Sequence, residues 1–157
     1  MTDFKKIRSK SYSFRVAYLF RMNACQLDRQ LSRLGLCHGQ VPYIAAIVEK
    51  DGQTQDELAR LIRVHRAATA RTLKNMEATG LVTRKENPKN RRQKLVYATD
   101  KSRALVDDML EILDTHNQTM FAGFSEEEKT MTLKLMDRAI NNVQAVLDNP
   151  EKNNDLG

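Results

Sequence analysis

Apolar residues recur at helical spacing in most of this chain, and two short β-prone runs interrupt the series. From Phe4 to Leu34, the residues Phe14, Ala17, Tyr18, Arg21, Cys25 and Asp28 share one face of a long candidate helix. Val16, Phe20, Leu27, Leu31 and Leu34 widen its apolar stripe. Gly35 to Gly39 breaks the pattern. A second helix, from about Gln40 to Lys50, carries Val41, Ile44, Ala45, Ile47 and Val48, with Pro42 in the first turn where a missing N–H does no harm. Asp51-Gly52-Gln53 closes it. Thr54-Gln55-Asp56-Glu57 has the order of a capping box and opens a short helix with Leu58, Ala59, Leu61 and Ile62 on its apolar face. Val64-His65 interrupts, and Arg66 starts a helix that runs to Thr79 and stops at Gly80, where a left-handed cap suits glycine. Leu81–Glu86 and Gln93–Ala98 are β-prone and flank the turn Asn87–Arg92, which predicts a hairpin. Thr99 begins a helix expected to reach about Ala122, with a seam of Leu105, Met109, Ile112, His116 and Met120. Gly123-Phe124 stops it. Ser125 to Glu128 forms another capping box, and a last helix continues to about Leu147 along Met136, Ile140 and Val143.

Two short helices joined by a tight turn are a helix-turn-helix arrangement, whose second helix lies in the major groove of DNA. Here the second helix sorts its residues by face. Thr69, Leu73 and Met76, with Thr72 beside them, fall on the side that must pack against the first helix. Arg66, Ala67, Ala70, Arg71 and Lys74 fall opposite, a slim cationic surface able to enter a groove. Standing alone, such a helix would read as a solvated charged face. The hairpin that follows gives it a partner, because the tip residues Lys89, Arg91 and Arg92 are too polar for a core and suit an electronegative minor groove. A helix-turn-helix followed by such a hairpin is a winged helix. With Thr54 and Gln55 at the mouth of the first helix and His65 at the start of the second, these cations and alanines form the candidate DNA-contacting set.

The order of Leu58-Ala59, Val64, Arg71, Met76-Glu77, Gly80-Leu81-Val82, Arg84, Asn90-Arg91-Arg92 and Thr99 resembles the MarR family, the multiple antibiotic resistance regulators. The resemblance is densest from Leu36 to Leu105. It implies a mainly α fold with a small β-hairpin wing: a winged core over about 36–98, and dimerisation helices over about 4–34 and 99–148, all in one domain. It also implies a homodimer bound to a pseudo-palindromic duplex, usually as a repressor, and release by a small phenolic ligand or by oxidation. Arg92 matches the family's wing arginine. Two positions depart from the pattern: Asn90 stands where the family usually has an aspartate, and Ala98-Thr99-Asp100-Lys101-Ser102 replaces Leu-Thr-x-x-Gly. A phenolic effector would sit between the dimer helices and the winged core, placing Tyr18, Arg21, Met22, Cys25, His38 and Tyr43 within reach. Arg21 either meets a ligand carboxylate or, more simply, pairs with the acidic C-terminal helices.

Charge and composition sharpen this reading. The 157 residues suffice for one domain with a real core, and 6% aromatic against 29% charged residues favours helices. The net charge is +6. Eleven Lys/Arg against four Asp/Glu give residues 54–98 a charge of +7, the electrostatic footprint of a phosphate-binding surface, while residues 99–157 carry −6. No apolar run approaches the ~20 residues that span a bilayer. The two cysteines form no disulfide framework, so a cytoplasmic protein without membrane contact is expected. Cys25 reads as a packed core thiol, whereas Cys37, beside His38 and just before a helix, has the better chemistry for a lowered pKa. Some members of the resembled family sense peroxides through an N-terminal-helix cysteine. His116, in an apolar seam, reads as a satisfied core histidine. No glycine-rich phosphate loop, Ser/His/Asp grouping or Cys-x-x-Cys occurs, so neither an enzyme, a cofactor nor a metal site is expected. The competing function is a winged-helix module for protein contacts without DNA, against which the basic centre argues.

Overall fold

The computed structural model describes residue 8 and residues 10–148. The expected start of the first helix at Phe4 lies outside the described residues. Helix α1 spans Tyr12–Leu31. Its boundary is set by Ser11, whose extended backbone (φ −84°, ψ 120°) cannot continue a helix and whose hydroxyl accepts the Phe14 N–H at 3.3 Å. The uninterrupted helix expected from Phe4 is therefore broken at Ser11. A 3₁₀ turn, Ser32–Leu34, ends at Gly35 with φ +70°. A second 3₁₀ turn, His38–Gln40, leads into α2 (Val41–Glu49).

Strand β1 (Gln53–Thr54), helix α3 (Gln55–Ile62) and helix α4 (Arg66–Ala78) follow. Thr54 caps α3 as its sequence requires. Its hydroxyl accepts the Glu57 N–H at 3.2 Å, and Glu57 Oε2 accepts the Thr54 backbone N–H at 2.7 Å. The turn into α4 passes through Arg63 in the left-handed region, φ 59°, a place that sequence alone would have reserved for glycine. Leu61, expected on the apolar face of α3, is 61% exposed. It sits roughly 100° around the helix from the midpoint of Leu58, Ala59 and Ile62, too far to join them in the core.

Strands β2 (Val82–Glu86) and β3 (Lys94–Ala98) pair antiparallel, from Val82 opposite Ala98 to Glu86 opposite Lys94. β1 pairs with the other edge of β3, giving the order β1-β3-β2. This third strand was expected only as a helix-closing loop. Its Gln53 is buried, and Nε2 donates to the Ala46 and Lys50 carbonyls at 2.8 and 2.9 Å, closing the end of α2.

The single helix expected over 99–122 is two helices, α5 (Asp100–Ala104) and α6 (Val106–Met120). At the break, Leu105 N–H bonds the Ser102 carbonyl three residues back at 3.3 Å, a 3₁₀ closure that ends the first helix. Helix α7 (Glu126–Asp148) starts from a second capping box, with Ser125 N–H on Glu128 Oε2 at 2.8 Å. The chain forms two compact units divided between His116 and Asn117, so that the division falls within α6.

The core of the first unit gathers Leu31, Tyr43, Ile44, Ile47, Leu58, Leu73, Met76, Leu81, Val96, Met109 and Ile112. Burial of each such side chain stabilises the fold by about 1.5–3 kcal/mol. Among them lies one polar pair: Tyr43 is 2% exposed and its hydroxyl meets Thr69 Oγ1 at 3.0 Å, joining α2 to α4. Tyr43→Phe alone strands the Thr69 hydroxyl and should cost about 1–3 kcal/mol, whereas Tyr43→Phe with Thr69→Val removes both partners and should recover most of that loss. Denaturant unfolding of the two variants checks this; equal losses would show that the hydroxyls are not paired.

Candidate nucleic-acid interface

Helix α4 buries Thr69, Leu73 and Met76 and exposes Arg66, Ala67, Arg71 and Lys74, with Ala70 half-buried between them. The inward face fixes the outward one, since residues three and four apart share a side. His65 caps the helix start in extended backbone, exposed and without a side-chain cap bond. Arg66 Nε lies 3.3 Å from Asp56 Oδ1 on α3, which holds the guanidinium at the helix mouth. Among the described residues, Arg71 and Lys74 have no ion-pair partner.

The wing tip is shaped by two asparagines. Asn87 Oδ1 accepts the Lys89 N–H at 2.9 Å, and Asn90 Oδ1 accepts the Arg92 N–H at 3.2 Å. Backbone bonds from Asn87 to the Gln93 carbonyl (3.1 Å) and from Gln93 to the Asn90 carbonyl (2.9 Å) close the tip. Asn90 thus turns the chain with a neutral acceptor and leaves the tip more cationic than an aspartate would. Lys89, Arg91 and Arg92 are all exposed, and Arg91 Nε lies 3.2 Å from Glu86 Oε1. Behind the tip, Lys85 Nζ stands 5.0 Å from the centre of the Tyr97 ring.

The start of α3 meets the wing along two grooves, one of which α4 also lines. One, of about 570 Å³, has Arg60, Arg66 and Lys89 on its walls together with Asp56 and Glu57. The other, of about 320 Å³, is lined by Thr54, Gln55, Arg84, Arg92 and Lys94. The structure therefore gathers the start of α3, the mouth of α4 and the wing on one side. The Thr54 hydroxyl there is engaged internally, donating to Glu57 Oε2 at 2.8 Å. Arg60, Arg84 and Lys94 belong to this surface and were absent from the set read from the sequence. For Lys94 the only local signal was its place at the start of a strand next to the basic tip.

The candidate effector residues divide. Tyr18, Arg21, Met22 and Cys25 are exposed on α1. His38 is half-buried, and its backbone N–H and Nδ1 meet Asp28 Oδ1 at 2.7 and 2.9 Å; the backbone bond is the main reason the Asp28 carboxyl is held below its usual range. Tyr43 is sealed in the core and does not share a surface with the others. The expectation of a packed Cys25 is corrected, because its position on α1 faces outward; Cys37 is exposed too. His116 is buried with Nε2 2.7 Å from Asn23 Oδ1, while its Nδ1 has no partner among the described residues. Among the described residues no cluster of metal-ligating side chains forms, and no helix is long and apolar enough to cross a membrane.

One ion pair joins the recognition helix directly to the wing. Arg84 on β2 donates from Nε to Glu77 Oε2 on α4 at 2.9 Å and pairs through a second nitrogen with the same oxygen. This bonding lowers the Glu77 pKa from its ordinary 4.5 and raises that of Arg84. A depressed carboxylate contributes stability that is fully present above its unfolded pKa and is lost as pH falls through the folded one. Glu77→Gln should thus lower stability at neutral pH by up to ~1 kcal/mol, limited by solvent screening of a partly exposed pair. The gap from wild type should close as pH drops below the glutamate range; thermal melts across pH check this, and a pH-independent gap would contradict it.

A profile of the MarR family matches residues 34–93, from the end of the 3₁₀ turn after α1 through the wing tip. Over 121 residues the chain is 27% identical to YybA of Bacillus subtilis (strain 168), an uncharacterized HTH-type transcriptional regulator, covering 77% of this chain and 81% of that one. The crystal structure of the transcriptional regulator SlyA superposes with a TM-score of 0.77 at 28% identity, covering 85% of this chain and 94% of that one. A MarR family regulator from Listeria monocytogenes, solved with a 26mer DNA, shares the fold with a TM-score of 0.79 at 24% identity, over 91% and 95% of the two chains. A MarR family model thus matches the helix-turn-helix and wing of this chain, and the relatives similar to it are transcription regulators with the same winged-helix fold.

Proposed function

We propose that this chain acts as a homodimeric repressor on a pseudo-palindromic DNA duplex, each α4 entering a major groove and each wing the adjacent minor groove. One observation carries the reading: Arg66 of α4 and Lys89 of the wing line one groove, so the cations of both elements serve a single surface. The packed inner face of α4 leaves Arg71 and Lys74 exposed, without an ion-pair partner among the described residues, to meet base edges or phosphates. The Listeria relative bound to DNA supports it with the same fold.

Dimerisation follows from surface that one copy leaves uncovered. On α1, Phe14, Val16, Tyr18, Phe20 and Met22 are exposed; on α7, so are Met136, Ile140, Val143 and Leu147. Apolar exposure of this kind along each helix marks an interface, and a second copy of the chain is the occupant proposed here. On DNA the two recognition helices stand about 34 Å apart. A small phenolic acid or an oxidant acting at the exposed Tyr18, Arg21, Met22 and Cys25 of α1 would release the operator by changing that separation.

Two substitutions test the assignment on a duplex selected by the wild-type chain from a random pool. Arg71→Ala should weaken binding by about 1–3 kcal/mol with an unchanged melting temperature. Arg92→Ala should lower the slope of log K against log salt by about 0.9 per lost phosphate contact. It should also weaken preference for a narrow A·T-rich flank. Folded variants that bind as wild type, with the same slope, would remove α4 and the wing from the interface.

A further inference from the structure

A chain of polar bonds runs from α1 to α4 through the turn between Cys37 and Gln40. At one end, Asp28 of α1 takes the His38 backbone N–H and faces His38 Nδ1 through a single oxygen, at 2.7 and 2.9 Å. At the other, Gln40 Nε2 donates to Asn75 Oδ1 of α4 at 3.0 Å. Within the turn, Gln40 Oε1 accepts the Cys37 N–H at 3.0 Å, and Gln40 N–H bonds the Cys37 carbonyl at 2.9 Å. Gln40 is 5% exposed, a buried amide whose oxygen and nitrogen both have partners. Apolar burial is non-directional and tolerates small rotations, whereas a bonded amide fixes both distance and angle. Asn75 lies one residue after Lys74 and one helical turn after Arg71, on the helix proposed to meet DNA.

We propose that the Cys37–Gln40 turn is the joint that sets the heading of α4 relative to α1, with Asp28, His38 and Gln40 as positioning residues for the spacing of the two operator half-sites. The inference rests on the DNA-binding dimer reading above. If α1 is where the second copy docks, the angle between α1 and α4 decides how far apart two α4 helices stand. Spacing of half-sites by one helical turn is a geometric demand on that angle. The joint is also selective in what it should affect. It touches neither Arg71 nor the wing, so contact with one half-site survives when it is loosened.

The test uses the full-length chain and a duplex that it selects from a random pool, re-synthesised with the spacer shortened or lengthened by one base pair, plus an isolated half-site. Wild type should prefer the selected spacing by at least about tenfold. Gln40→Met keeps the volume and removes both side-chain bonds. Asp28→Ala, at a side chain nearly half exposed, removes the other end of the joint. Both variants should bind the half-site within about twofold of wild type while their spacing preference falls below about threefold. Gln40→Glu keeps the acceptor, and Asn75 can turn its amide to donate, so this variant should restore the preference. Unchanged spacing preference in the variants overturns the joint, as does a parallel loss on half-site and full site, which would indicate structural damage only. If Gln40→Met fails to fold, Asp28→Ala decides alone. A wild-type chain that binds no duplex would instead overturn the DNA reading, and the joint with it.

Discussion

The structure depends on the burial of one face of α4. A helix of 13 residues is marginal in water by itself, and α3, with 8, is weaker still. Leu73 and Met76 gain their place only by packing with Leu58, Ile44, Leu81 and Val96. That requirement fixes the rotation of α4 about its axis, and with it the outward direction of Arg66, Arg71 and Lys74. Thr69, fully buried, is tolerated because Tyr43 supplies its partner. The surface proposed to meet DNA is thus the unburied remainder of a helix whose stability comes from its other side.

Electrostatics then divides the cations into two kinds. Arg84 is tied to Glu77 and Arg103 to Asp51, and Asp51 also takes the Ala98 N–H at 2.8 Å, so these arginines serve to hold α4, α5 and the sheet together. Lys101 Nζ reaches the Thr79 carbonyl at 2.8 Å and closes the end of α4. The other kind, Arg71, Lys74, Lys89 and Arg92, is exposed and available. Arg66 and Arg91 are intermediate, each beside one exposed carboxylate that solvent screens and a phosphate can displace.

Much of this organisation was legible in the sequence because it is local. The capping boxes at Thr54 and Ser125, the stop at Gly80 and the faces of α4 depend on residues within one or two helical turns, and the structure has them where the sequence put them. Part of what could not be read was set by distant partners. β1 is two residues long and exists as a strand only because β3 offers an edge. Ser11 and Leu105 interrupt helices that apolar periodicity alone would continue. Cys25 looked buried because apolar neighbours share its helix, but its position on α1 is exposed. For the candidate site, face and charge marked the helix and wing residues; of these, Thr54, Gln55, Arg66, Lys89 and Arg92 line the two grooves, while Arg71 and Lys74 are exposed further along α4. The bonds from Gln40 to Asn75 and from Arg84 to Glu77 had no sequence signal, since each amide or ion could have found many partners.

The central claim is that one surface of each copy presents α4 and the wing together to a duplex. Hydroxyl-radical footprinting of the wild-type chain on a duplex that it selects examines this directly. The account predicts two protected segments about one helical turn apart, each extending into a flanking minor groove, with protection fading as salt rises. Protection confined to one segment without a flanking minor groove, or no salt-dependent protection at all, would contradict it.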